Sequence, residues 1–173
     1  MILKCLSGCM ILICSGYLGI LFSGRFKKRV RQLEELQNAM LQLEFDIDFL
    51  NVTLCEAFEG IAKNTDGILK EVFFYVADRL QKSPGCDMQR LWQRAMIKYS
   101  DDLALTEDDI QIIRDFSKTL GSGNREKEKN NIKVTQMRLK IAVDEAVSEA
   151  KKNIKMYRGL GLLSGVFMVI VLV

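Results

Sequence analysis

Residues 33–54 read LEELQNAMLQLEFDIDFLNVTL, and this stretch decides the fold of the chain. Its apolar residues recur at alternating intervals of three and four, a spacing that only a helix places on one face. The stretch therefore predicts a long amphipathic helix. Its seam can pack against other helices of the same chain or against a second copy in a coiled coil. The seam residues are Leu33, Leu36, Met40, Leu43, Ile47, Leu50 and Leu54.

Start signals for further helices follow the seam. Thr53 and Glu56 have the spacing of a capping box, as do Thr106 and Asp109, and Asp87 stands where an N-cap is expected. Each signal precedes apolar residues with helical spacing. The inward-facing residues predicted after them are Ala57, Phe58, Ile61, Leu69, Val72, Phe73, Val76, Leu80, Leu91, Trp92, Ala95, Met96, Tyr99, Ile110, Ile113, Phe116 and Leu120.

Turns separate these helices. Ser83-Pro84-Gly85 contains the one proline of the chain, and Gly121 suits the left-handed position that ends a helix. The last and longest helix is predicted over residues 124–158. No segment alternates with period two as a half-buried strand does. The sequence therefore predicts an all-α protein, an antiparallel helical bundle of about six helices.

Both ends of the chain are apolar. Residues 2–22 form a run that carries one charge, Lys4, and is long enough to cross a hydrocarbon core of about 30 Å. Residues 160–173 form a shorter run, which spans only with local thinning of the bilayer. The sequence predicts an N-terminal transmembrane helix within 1–24, a cytoplasmic helical bundle over 25–158, and a C-terminal transmembrane helix within 159–173.

The charges next to the apolar ends predict the orientation. Five basic residues lie between 25 and 31 and four between 151 and 158, whereas only Lys4 lies on the other side. The positive-inside rule then places the body in the cytoplasm and both termini outside. Residues 32–149 carry all 22 acidic residues and 15 of the 25 basic ones, a formal charge of about −7. This acidic body argues against nucleic acid as a partner.

The composition leaves little room for catalysis. The chain has no histidine, which excludes the Ser-His, Cys-His and His-metal constellations. Its five cysteines form no CxxC pair and are interpreted as small apolar packing residues. The Gly121-Ser122-Gly123 piece lacks the Lys-Ser/Thr of a phosphate loop. We therefore predict no catalytic residue, cofactor or metal site, and no enzyme.

One acidic group is a candidate contact surface for a basic partner. It consists of Asp101, Asp102, Glu107 and Asp108. The spacing does not match a calcium-binding loop. Acidic residues are also expected at a helix start, where they interact favourably with the helix dipole. The alternative interpretation is therefore a solvated helix start with no partner.

The order of these features resembles the stage III sporulation protein AB family of endospore-forming bacteria, over essentially the full length. The likeness is carried by motifs rather than by single residues. Gly123, Asn124 and Glu128 depart from the residues usual in the family's turn. The motifs are the basic stretch after the apolar start, the leucines of 33–43 with Glu44, Thr53-Leu54 with Ala57-Phe58, Trp92 with Ala95, Leu120-Gly121 and Arg158-Gly159-Leu160-Gly161.

The resemblance implies a role in the mother-cell membrane that faces the forespore. The family is similar to the cytoplasmic helical domain of the type II secretion F-type platform protein. By that likeness the chain is expected to be a membrane platform that contacts a secretion-type ATPase, stage III sporulation protein AA, and other stage III channel subunits. Association of several copies of this chain into a homo-oligomer is a further alternative. The competing hypothesis is a membrane-anchored coiled coil with a structural or signalling role and no part in export.

Overall fold

The computed structural model describes the backbone of residues 2–50, 52–83, 85–121 and 123–172. It describes side chains within residues 24–156, apart from 51, 84 and 122. Within this part of the chain the structure contains helices and turns and no strand, so the predicted all-α fold with six helices is confirmed. The helices are α1 (Ile2–Phe45), α2 (Leu54–Asn64), α3 (Gly67–Lys82), α4 (Met88–Lys98), α5 (Glu107–Ser117) and α6 (Arg125–Leu172).

The chain divides into two compact units, one of residues 1–30 and 145–173 and the other of residues 31–144. In the first unit, the Arg29 guanidinium donates to the Glu149 carboxylate at 2.7 Å. The transmembrane helices predicted within 1–24 and 159–173 lie outside the residues whose side chains the structure describes. Among the residues that it does describe, no helix is both long and apolar enough to cross a bilayer.

The seam of α1 forms the core of the second unit. Leu33, Leu36, Met40 and Leu43 are each at most 2% exposed, and they are covered by side chains of the same chain. This burial decides between the two uses of the seam left open by the sequence. Because the chain covers its own seam, the seam is not free to form a coiled coil with a second copy.

The seam is shorter than the spacing predicted. Residues Asp46–Leu50 form a π-helical turn, and Leu50 is 55% exposed, whereas Leu54 at the start of α2 is half-buried. A π-helical turn closes i→i+5 hydrogen bonds and so rotates the following side chains away from the register of an α-helix. The prediction of Leu50 as a seam residue was therefore wrong, while Ile47 remains buried.

Four aromatic rings form the centre of the second unit. Trp92 is 1% exposed, and its ring centroid lies 5.6 Å from that of Phe58, 5.6 Å from that of Phe73 and 6.4 Å from that of Phe116. The three contacts have edge-to-face geometry, which aromatic quadrupoles favour. Since these residues come from α2, α3, α4 and α5, Trp92 joins the four short helices, as its interpretation as a core residue predicted.

The predicted start signals are present. Thr53 accepts from the Glu56 backbone N–H while the Glu56 carboxylate accepts from Thr53 N–H, and Thr106 and Asp109 form the same reciprocal pair. Asp87 caps α4 by accepting from the backbone N–H of Gln89 at 3.0 Å. Gly121 has the predicted left-handed conformation, with φ +75°. It does not end the helix, however, because α5 ends at Ser117 with Lys118 as its C-cap, and Gly121 lies in the turn beyond.

Within the second unit, α1 and α6 run antiparallel. The Gln136 side-chain amide donates to the Glu44 carboxylate at 2.9 Å, and Lys129 Nζ lies 2.6 Å from Asp48 Oδ2. A later residue of the α1 segment thus contacts an earlier residue of α6, as expected for two antiparallel segments. The buried residues of α6 in this unit form one face, which consists of Glu128, Ile132, Thr135, Leu139 and Ala142.

Candidate partner-binding surface

The four acidic residues singled out in the sequence lie at the two ends of one short connection. Asp101 and Asp102 belong to the 3-10 turn Ser100–Asp102, and Glu107 and Asp108 form the first turn of α5. All four side chains are exposed. Glu107 is engaged by Arg114 Nη2 at 3.1 Å. The other three carboxylates make no ion pair with any residue that the structure describes, so they are open to a partner.

Asp109 follows these residues in sequence but has a different role. It is 1% exposed, and its carboxylate accepts from Thr106 N–H at 2.8 Å. A buried carboxylate with a backbone partner stabilises the helix start rather than a surface contact. The structure therefore separates Asp109 from the surface group.

Gln32 of α1 fixes the connection in place. Its side-chain amide donates to the Asp102 carbonyl at 3.4 Å and accepts from Ala104 N–H at 2.8 Å. Gln32 is 3% exposed and Leu103, between the two contacts, is 6% exposed. The connection is thus anchored in the core of the unit. Sequence reasoning missed Gln32, whose only signal was a polar side chain next to the first seam leucine.

An apolar cleft lies beside the acidic group, between α4 and α5. It has a volume of about 190 Å³, and Trp92, Met96, Ile97, Ile110, Glu107 and Arg114 contribute to its walls. Ile97 is 67% exposed. Glu107 thus belongs both to the acidic group and to the rim of the cleft. An apolar depression with a charged rim is typical of surfaces that bind proteins.

A basic cleft between α3 and α4 was not foreseen. Its volume is about 290 Å³, and Tyr75, Arg79, Ser83, Arg90 and Arg94 contribute to its walls. Arg79 lies over the Tyr75 ring, with 5.4 Å between guanidinium carbon and ring centroid. Arg90 pairs with Asp87. The signal available in the sequence was the spacing of four that separates Arg90, Arg94 and Lys98, which places them on one side of a helix.

The perturbed titratable groups outside the two clefts serve structural contacts. Hydrogen bonding from Lys118, followed by that from Arg138, lowers the pKa of the Asp115 carboxyl. The Thr53 backbone N–H lowers the pKa of Glu56, and the hydrogen bond to Asp48 raises the pKa of Lys129. Among the described residues, no group of three His, Cys, Asp or Glu is placed to hold a metal ion. The shifts therefore mark helix caps and inter-helix bridges.

Comparison with known proteins identifies the family. The family model of stage III sporulation protein AB matches residues 4–173, so this chain belongs to that family. It is 28% identical over 171 residues to stage III sporulation protein AB of Bacillus subtilis strain 168, covering 98% of this chain and 99% of that protein. A solved structure of stage III sporulation protein AB matches with a TM-score of 0.65 and 25% identity, over 71% of this chain and 96% of that chain.

The resemblance expected from the sequence motifs is thereby confirmed. Family membership assigns the chain to stage III of sporulation, and the matching solved structure supports the helical bundle.

Proposed function

We propose that this protein is a non-enzymatic platform component of a sporulation channel between mother cell and forespore, and that its helical body docks a cytoplasmic secretion-type ATPase, stage III sporulation protein AA. Other stage III channel subunits assemble on the same platform. In this proposal residues 1–24 and 159–173 anchor the protein in the mother-cell membrane facing the forespore. The body of residues 25–158 lies in the cytoplasm, with both termini outside.

The observation that carries the proposal is the family match over residues 4–173. Two features of the sequence support the membrane part. The apolar runs at both ends have the composition of membrane segments, and nine basic residues flank them on the side of the body. The helical body supports a docking role, because its described surface offers an apolar cleft beside the acidic group and a second cleft lined by arginines.

The competing coiled-coil function has less support. It depends on a free seam along α1, and the seam residues up to Leu43 are buried by the chain itself. A dimer through this seam would require the bundle to open.

We place the ATPase contact at the group of Asp101, Asp102, Glu107 and Asp108. The carboxylates are exposed, and Gln32 holds the connection between them in a fixed position. A rigid acidic surface beside an apolar cleft is complementary to a partner that offers a basic rim and an apolar side chain. Charges at such a rim mainly raise the association rate and set specificity, so binding should weaken as salt increases.

The test is copurification of the full-length protein with the ATPase from sporulating cells, followed by binding of purified components at low salt. The variant Asp101→Asn/Asp102→Asn/Glu107→Gln/Asp108→Asn is expected to lose binding of the ATPase while its helicity stays unchanged. The expected loss reflects the removal of four exposed negative charges from one surface, and such charges mainly affect the association rate.

The matched control is Asp66→Asn/Glu71→Gln. Both residues are exposed at the start of α3, and neither forms an ion pair with a described residue. This control should bind as the unmodified protein does. Equal affinity of the quadruple variant and the unmodified protein at low salt would exclude the acidic group as the docking site. If the ATPase is not recovered with the unmodified protein either, the platform proposal itself is wrong.

A further inference from the structure

Exposed apolar side chains are concentrated on two stripes of the second unit. Among the described residues, ten large apolar side chains are exposed. Eight of them lie on α1, its π-helical extension or α6, and six of these eight form the two stripes. We define the α1 stripe as Leu41, Phe45 and Phe49, and the α6 stripe as Val134, Met137 and Ile141. Exposed apolar surface that is clustered in this way marks an interaction site.

The three side chains of the α1 stripe are exposed, and two of them contact each other. Leu41 is 52% exposed, Phe45 53% and Phe49 72%. The rings of Phe45 and Phe49 lie against each other with centroids 5.1 Å apart. The π-helical turn that removes Leu50 from the seam is the element that carries Phe49. Two aromatic rings in contact present a large apolar area with little loss of side-chain entropy on binding.

The α6 stripe has nearly the same length as the α1 stripe. Val134, Met137 and Ile141 are 41%, 68% and 60% exposed and have helical spacing. At a rise of 1.5 Å per residue, the α6 stripe extends about 11 Å and the α1 stripe about 12 Å. Each stripe thus offers three large side chains over the same distance, which suits side-by-side packing of two helices.

The charges around the two stripes differ in their predominant sign. Residues 32–62, which contain the α1 stripe, hold seven acidic residues and no basic one. Residues 129–145, which contain the α6 stripe and the turn after it, hold four basic residues, Lys129, Lys133, Arg138 and Lys140, against the exposed Asp144 and Glu145 at one end. Within the chain, Lys129 bridges to Asp48 and Arg138 to Asp115. Lys133, Lys140 and Glu34 are exposed and form no ion pair with a described residue. Their charges are therefore available to pair with charges of another molecule.

The charges around the two stripes favour one binding partner. We propose that the α1 stripe of one copy packs on the α6 stripe of a second copy of this chain, with the acidic surroundings of α1 against the basic surroundings of α6. Packing like stripes together would bring like charges into contact, which is unfavourable. The contact is therefore heterologous, and a heterologous contact between identical chains builds a ring or an open row rather than a closed dimer.

The interface is small, because each side contributes three large side chains. An interface below the standard size is transient for molecules free in solution. Covalent capture between full-length copies in membranes is therefore the appropriate test. It uses two differently tagged copies in a background without native cysteine, one carrying Phe45→Cys and the other Met137→Cys. Because each copy has a single cysteine, a cross-link joins two chains.

The expected result is a covalent pair that contains both tags. Its yield should exceed that of the two like pairs, Phe45→Cys with Phe45→Cys and Met137→Cys with Met137→Cys, by roughly tenfold or more, because like stripes repel. Adding Lys133→Glu and Lys140→Glu to the Met137→Cys copy should lower the yield, as should high salt.

Phe74→Cys is the matched control for Phe45→Cys, since Phe74 is an equally exposed phenylalanine (60%) on α3, outside both stripes. Its cross-linking to Met137→Cys should stay at background. The proposal is overturned if Phe74→Cys reacts as well as Phe45→Cys, if the like pairs dominate, or if the mixed pair does not form. These outcomes are independent of ATPase copurification, which uses neither stripe.

Discussion

At the residue scale, several side chains of the second unit have roles that only their surroundings define. Cys55 is the clearest case. Its thiol is half-buried and donates to the Ala77 carbonyl at 3.5 Å, and Glu59 and Glu56 lie nearby. Burial raises the pKa of this thiol, and the negative charges of Glu59 and then Glu56 raise it further. A raised thiol pKa lowers the fraction of reactive thiolate at neutral pH.

We therefore expect the alkylation rate of a variant that retains only Cys55 to reach half its maximum at a higher pH than that of an unperturbed thiol, because the pKa of Cys55 is raised. Adding Glu59→Gln should move this midpoint down, since one of the repelling charges is removed. The midpoint is independent of how accessible the thiol is, which affects only the absolute rate. A midpoint at or below that of a cysteine in an unfolded peptide, measured under the same conditions, would contradict the assignment of the shift to burial and the two carboxylates.

The sequence revealed residue roles unevenly. Trp92, Thr53, Thr106 and Asp87 could be predicted, because an aromatic residue in an apolar helix face and a cap before a helix are defined by local spacing. Gln32 could not, because its role comes from a connection 70 residues away in the chain. Arg90 and Arg94 of the basic cleft could be placed on one helix face, but the cavity beside them depends on how α3 and α4 pack.

At the element scale, the seam of α1 is the feature on which the second unit depends. Leu43 is fully buried, whereas Leu41, two residues earlier on the same helix, is 52% exposed. These two leucines offer a pair of substitutions that differ in burial alone. Leu43→Asp should unfold the bundle, because an unpaired buried carboxylate costs several kcal/mol and domains hold only about 5–15 kcal/mol of stability.

Leu41→Asp should leave helicity and protease resistance unchanged, because the carboxylate faces solvent. Circular dichroism and limited proteolysis of the two purified variants provide the measurement. Similar losses in both variants would show that burial of the seam is not what the bundle depends on.

The elements themselves were largely predictable, and the exception has a physical reason. Capping boxes and helical spacing specify where α2, α4 and α5 begin, since these signals are local. The π-helical turn at Asp46–Leu50 has no such signal, because apolar residues continue through it with a spacing that suits an α-helix. What the turn changes is the direction of the side chains after Ile47, and this depends on packing rather than on sequence period.

At the scale of the whole molecule, the distribution of charge leads to a prediction of topology. Nine basic residues flank the apolar ends on the side of the body, against Lys4 on the other side. We expect Ser83, which is exposed at the end of α3, to face the cytoplasm. A Ser83→Cys variant without other cysteines should resist a membrane-impermeant maleimide in intact cells and react once the cells are permeabilised. Labelling in intact cells would show that the body lies outside the cell, which is opposite to the predicted orientation.

The contact of Gln32 with residues 102 and 104 also has a consequence for the order of folding. The pairing of α2 with α3 joins neighbours in sequence, so it can form early, whereas a contact across 70 residues carries a larger loop-closure cost. During synthesis, Gln32 leaves the ribosome long before the turn that it holds. The acidic group can therefore reach its final position only after α5 has emerged and met α1. An incomplete chain would lack the acidic surface in its final position. A partner that binds this surface would therefore bind only chains whose body is fully synthesised.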